Sequence, residues 1–154
     1  MIYGDWEEAY DKLPALFNAI KEASPGMHYE SIPNLGEWRN RRQIFFRASW
    51  CFPQCVEAFR HCRLVFSSDG TFLLGKYMGT LLIAIACDAN NALVPLAIAL
   101  VEKEKKESWG WFLRLVRIHV VGPDREVCVI SDRHQGILSV VQEQILGYPS
   151  LHHR

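Results

Sequence analysis

A chain of 154 residues with 49% AVILMFWYC and 22% charged side chains has the size and composition of one folded, water-compatible domain, which excludes a disordered or collagenous polymer. Seventeen basic and seventeen acidic side chains cancel, so there is no global positive field to collect phosphates and any nucleic-acid contact must be local. The uncharged runs 77–87 and 89–101 are shorter than the roughly 20 residues of a membrane span, the N-terminus lacks the pattern of a secretory leader, and five irregularly spaced cysteines without one indicate reduced thiols inside the cell.

Trp6, Tyr10, Leu13, Leu16, Phe17 and Ile20 recur at helical spacing and predict an amphipathic helix. Pro14 lacks an N–H and clashes one turn back, which predicts a break near Leu13 and a second helix with Pro14 in its first turn, stopped by Ser24-Pro25-Gly26. Between Met27 and Asn40, Pro33, Asn34 and Gly36 mark turns, leaving a short strand around His28–Ile32. Residues 43–50 read as a half-buried strand with Ile44, Phe46, Ala48 and Trp50 on one side. Pro53 opens a short helix to about Arg60, with Phe52, Val56 and Phe59 inward.

The second half is more regular. Leu64–Ser68 is an apolar strand expected to end at Asp69-Gly70-Thr71. Strands 80–87 and 93–101 flank Asp88-Ala89-Asn90-Asn91, a hairpin turn, and Pro95 places the later strand at an edge or a bulge. After the polar run 102–107, Ser108 is an N-cap for a helix carrying Trp109, Phe112, Leu113 and Val116. Val127–Ser131 is a strand ending in Asp132, and Ile137, Val141 and Ile145 mark a helix stopped by Gly147-Tyr148-Pro149. Strand, strand, strand, helix, strand, helix implies an α/β domain with a mixed sheet, because the third and fourth strands are joined through a helix.

Asp69 and Asp132 both fall at strand ends. If the first and fourth strands of this series run parallel as neighbours, both carboxylates reach one rim. There Mg²⁺ could sit between them, and phosphodiester cleavage or strand transfer would follow from activating a water or a 3′-hydroxyl. The competing reading is an ordinary Asp-Gly turn and a Ser-Asp helix cap. Cys51, Cys55, His61 and Cys62 form a loose cluster that matches no zinc-ribbon or finger spacing, against which stands core filling by thiols. Trp109 and Trp111 could stack on bases or fill a core. Arg39, Arg41, Arg42 and Arg47 could touch phosphate or form a solvated face.

Six words fall in order: Cys55-Val56-Glu57-Ala58-Phe59-Arg60-His61-Cys62-Arg63; Asp69-Gly70-Thr71-Phe72-Leu73 with Gly75-Lys76-Tyr77; Leu81-Leu82-Ile83-Ala84 with Asp88-Ala89-Asn90-Asn91; Pro95-Leu96-Ala97; Ser108-Trp109-Gly110-Trp111-Phe112; and Ile130-Ser131-Asp132-Arg133-His134. Together they resemble the transposase domain of plant Mutator-like elements (MULE). The segment with Gly4-Asp5-Trp6-Glu7-Glu8 and Leu13-Pro14 is similar to the region preceding that core. The resemblance implies a ribonuclease-H-like fold of strand order 3-2-1-4-5 and a nuclear Asp-Asp-Glu transposase that cuts terminal inverted repeats of DNA and joins the ends to new DNA with Mg²⁺ or Mn²⁺.

In that carry-over Asp69 and Asp132 are the first two acids and the metal ligands. The family's third, a distant glutamate, has no counterpart, since Glu143 lies eleven residues beyond Asp132, roughly 16 Å along a helix. The chain also ends before the family's Cys-x-x-His motif. The expectation is therefore a truncated core at 61–154, strand order 3-2-1-4 with the fifth strand missing or only begun, behind an N-terminal helical and strand extension at 1–60. It would have no structural zinc, would be inactive alone and would be open to self-association through an uncovered sheet edge. Ser68 stands where the family has a branched apolar residue, which suggests relaxed selection or an exposed position. A non-catalytic alternative is a domesticated DNA-associated regulator similar to far-red-response transcription factors. A third is a small intact nuclease with Glu107 as the extra ligand.

Overall fold

The computed structural model describes residues 6–39, 42–74, 79–132, 134–141 and 152–153. Its elements are α1 (Trp6–Ala23), β1 (His28–Arg39), β2 (Arg42–Cys51), α2 (Pro53–Phe59), β3 (Val65–Phe72), β4 (Thr80–Cys87), β5 (Leu93–Val101), α3 (Lys106–Val116), β6 (Cys128–Ser131), α4 (Gln135–Val141) and β7 (His152–His153). A single π-helical turn, Arg117–Val121, continues α3. The fold is mixed α/β.

Among the described residues one seven-stranded sheet runs β1-β2-β5-β4-β3-β6-β7. Pairing is antiparallel from β1 to β3 and parallel at β3–β6 and β6–β7. This order differs from the expected four strands. The strands of the second half lie side by side as β5-β4-β3-β6, but β2 adds to β5 through Ala48↔Leu100, Ser49↔Ala99 and Trp50↔Ile98, and β1 follows it. An apolar β5 with an open edge leaves backbone groups unpaired, and β2 satisfies them. At the other side β7 supplies two residues paired to Cys128 and Val129.

The main core lies under α3 and α4. Leu82, Ala84 and Ala86 alternate inward along β4 and meet Ala97 and Ala99 of β5, Trp109, Phe112, Leu113 and Val116 of α3, and Ile137, Val140 and Val141 of α4. A second cluster joins α1 to the β1–β2 hairpin: Phe17, Met27 and Ala48 with Leu13, Ile20, Tyr29, Trp50 and Phe52. The Phe17 ring stacks on Tyr29 at 4.5 Å and sits 4.8 Å from Trp50. Neighbouring β2 residues serve both layers, since buried Arg47 reaches Glu102 and the Glu107 carbonyl. No helix among the described residues is long and apolar enough to cross a membrane.

Several local expectations are corrected. α1 does not break at Pro14 but continues through it, because Leu13, Phe17 and Ile20 are anchored in the second cluster. Pro33, Asn34 and Gly36 do not end β1; they lie in it, and its register shifts after Ile32 and after Asn34. Ser108 is not the N-cap of α3. Lys105 is, and Ser108 sits in the first turn, fully buried, its hydroxyl donating toward the Lys103 and Lys105 carbonyls and accepting from the Lys105 N–H. Pro95 sits at a bulge: the β4–β5 register passes from Ala84↔Ala97 to Ile85↔Pro95, skipping Leu96.

Candidate functional site

β3 and β6 run parallel through Val65↔Cys128, Phe66↔Val129, Ser67↔Ile130 and Ser68↔Ser131. The next residue on each is an aspartate, Asp69 on β3 and Asp132 just past β6. Adjacent strands lie roughly 4.8 Å apart, so the register delivers both acids to one rim, and both are exposed. Asp69 is not at a strand end, however. β3 runs on to Phe72 and pairs Asp69 with Ile83 of β4, so only the β6 side of the pairing stops there.

Main-chain amides hold each carboxylate. The Gly70 N–H donates to Asp69 Oδ1 at 2.8 Å, and the His134 N–H donates to Asp132 Oδ1 at 3.2 Å. Ser68, next to Asp69, is 2% exposed, which removes the exposed-position alternative, and its hydroxyl donates to the Ile83 carbonyl at 3.0 Å. By strand alternation Ser68 and Gly70 face α3, whereas Asp69 faces the opposite side of the sheet.

On the α3 side stands Glu104, which the sequence did not separate from its neighbours. Its side chain is only 8% exposed. Oε1 accepts from Trp109 Nε1 at 3.1 Å and lies 3.5 Å from His134 Nδ1. A Cβ placed on Gly70 would meet the Glu104 carboxyl carbon and Oε2 at 3.2 Å. His134 Nδ1 also accepts from the Gly136 N–H at 3.2 Å, and a Cβ at Gly136 would fall 3.0 Å from Trp109 Cδ1. Glycine at 70 leaves room for this carboxylate, and glycine at 136 leaves room for the Trp109 ring that donates to it. Its only signal in the sequence was an acid in a lysine-rich run, and that pattern reads as a solvated face.

The remaining candidates do not join this rim. Among the described residues no three His, Cys, Asp or Glu side chains are grouped to hold a metal ion, so Glu107 does not complete a triad with Asp69 and Asp132. Glu107 is exposed on the first turn of α3. Cys51 is buried, Cys55 and Cys62 are half-buried, and all three are free thiols, while His61 is exposed beside Glu57 at 3.7 Å. Trp109 and Trp111 are core residues, their indole N–H groups donating to Glu104 and Glu30. Arg47 is buried against Glu102, with Oε contacts at 2.5 and 2.8 Å, and is no phosphate-facing residue. Arg41 and Glu143 lie outside the described residues, as do the side chains of Arg39 and Arg42.

The family model for the MULE transposase domain matches residues 65–154. Nothing matches among curated proteins or among solved structures. The matched span begins with β3 and takes in both aspartates and the Glu104 junction. With more than half of its length inside that match, the chain belongs to the MULE transposase domain family.

Proposed function

We propose that this chain is the metal-binding part of a Mutator-like DNA transposase catalytic domain, with a ribonuclease-H-like arrangement of β5-β4-β3-β6 and Asp69 and Asp132 as its first two acids. The observation that carries the reading is the parallel register ending at Ser68↔Ser131, which makes the two aspartates the next neighbours on adjacent strands. The donor set supports Mg²⁺ or Mn²⁺. These ions take hard oxygens, keep several waters and are held by one or two carboxylates together with substrate phosphates. Each aspartate here has one oxygen fixed by a backbone amide. When bound, the ion would lower the pKa of an attacking hydroxyl and stabilise the leaving oxygen of a phosphodiester. The chain's own contribution is to hold Asp69 and Asp132 at a fixed spacing on an exposed rim where DNA phosphates can approach.

In this reading the substrate is DNA at terminal inverted repeats, the compartment is the nucleus, and the parent elements are those of plants. Two acids bind the ion but do not complete the cleavage site. The 154-residue chain is therefore expected to bind Mn²⁺ and to leave a nicked or intact repeat duplex unchanged. Mn²⁺ binding followed by paramagnetic resonance, with Asp69→Ala and Asp132→Ala as controls, tests the first expectation, since equal binding by all three proteins removes the aspartates from the site. A nicking assay in Mg²⁺ and Mn²⁺ tests the second. Robust cleavage abolished by either alanine would show that the site is complete as it stands.

A further inference from the structure

We propose that Glu104 is a positioning residue that sets the spacing of the two aspartates from behind the sheet, an inference that rests on the reading of Asp69 and Asp132 as the metal-binding pair. Its carboxylate lies beside two residues, and each supplies the backbone N–H that holds one aspartate. A Cβ on Gly70 would stand 3.2 Å from the Glu104 carboxyl group, so that group occupies the side-chain space above Gly70, whose N–H donates to Asp69 Oδ1. His134, whose Nδ1 accepts from the Gly136 N–H, sets that nitrogen 3.5 Å from Glu104 Oε1 as a packing contact, and its own N–H donates to Asp132 Oδ1. One buried group therefore braces both anchors. Glu104 is itself fixed to α3 by Trp109 Nε1 at 3.1 Å, and Trp109 is fully buried.

Direct ligation by Glu104 is excluded by the sheet. Gly70 faces α3 and Glu104, and strand alternation turns Asp69 to the opposite face. The contact passes through backbone, and backbone contact demands a residue without a side chain. An alanine at Gly70 would press on Glu104 at 3.2 Å and on Leu82 Cδ2 at 3.3 Å. Partners that orient metal ligands in this way typically change metal affinity about 10- to 100-fold when removed.

The test uses the full chain and reads the two anchoring amides directly. Hydrogen exchange of the Gly70 and His134 N–H groups is compared by NMR in the wild type, Glu104→Ala and Glu104→Gln, with Mn²⁺ titrations in parallel. Glu104→Ala is expected to lose protection at both amides and to weaken Mn²⁺ binding about tenfold. Glu104→Gln keeps the volume and an acceptor for Trp109, so it is expected to restore protection at both amides and to bind Mn²⁺ within about threefold of the wild type. Should Glu104→Ala not fold, Gly70→Ala displaces the same carboxylate and is expected to loosen the Asp132 anchor at His134, one strand away. Unchanged protection at both amides in a folded Glu104→Ala or Gly70→Ala protein overturns the proposal. Mn²⁺ binding that is indifferent to Asp69→Ala and Asp132→Ala, with the amide losses intact, instead sinks the metal-site reading and leaves Glu104 as the brace of the rim.

Discussion

Cys51 shows how burial decides chemistry at a single residue. Its thiol is pushed up to about 11 by removal from water, partly opposed by the backbone hydrogen bond with His28 and reinforced slightly by Cys55. At pH 8 only about one molecule in a thousand would carry the nucleophilic thiolate there. Cys87 is exposed. Iodoacetamide at pH 8 is therefore expected to modify Cys87 in the native protein and Cys51 only after denaturation, read by peptide mass spectrometry. Equal native rates at the two would show that the end of β2 opens freely. That Cys51 and Cys62 fill space was legible from their apolar surroundings. The burial of Ser68 was not, because the carbonyl that accepts its hydroxyl, Ile83, belongs to the partner strand β4. Glu104 was illegible for the same reason: Glu102, Glu104 and Glu107 look alike along the chain, and only the closing of Gly70, His134 and Trp109 around one of them sets it apart.

At the scale of elements, local rules read best where the chain supplies its own partner. The β4–β5 turn was legible because Asp88 Oδ1 accepts from the Asn90 and Ala92 N–H groups at 2.8 Å and Asn91 takes the positive φ of 61° that asparagine tolerates. The pairing of β2 with β5 spans about fifty positions and had no such local mark. α1 is the case in which a local rule lost. Pro14 is exposed within the helix and removes one main-chain hydrogen bond, yet Phe17 and its ring contacts to Tyr29 and Trp50 hold the helix in one piece. The folded state carries the cost of that missing hydrogen bond. Pro14→Ala is thus expected to stabilise the protein, by at most about 3 kcal/mol, seen as a higher urea midpoint with an unchanged slope. A lower midpoint would mean that the proline restricts the unfolded chain more than it strains the helix.

Over the whole molecule, polar ties cross from the N-terminal hairpin to the rest. Arg47 binds Glu102 in a bidentate pair, Glu30 accepts from Trp111 Nε1 at 2.9 Å, and His28 stacks on His119 at 4.2 Å. Two of these ties titrate. Burial, together with the His28 ring, holds the His119 imidazole below its ordinary 6.5; Glu30 pulls the other way and Arg114 adds to the depression. The unfolded chain then takes up this proton first, so stability that is full above about pH 6.5 declines as pH falls toward the lower folded value. Burial pushes the Glu102 carboxyl up, but the hydrogen bonds from Arg47, its own backbone and Lys105, with the Arg47 charge, outweigh it and leave the group below its ordinary 4.5. Its stabilisation is present above that value and is lost as pH drops through the depressed one. Thermal midpoints are therefore expected to hold steady from about pH 7 until the thiols begin to titrate toward 9.0, to fall in a first step below about 6.5 and in a second below about 4.5. His119→Asn is expected to remove the first step and spare the second, and Glu102→Gln the reverse, at the cost of a lower plateau because Arg47 would be left buried beside a neutral partner. A first step that survives His119→Asn would place the acid sensitivity elsewhere than at the stacked imidazoles.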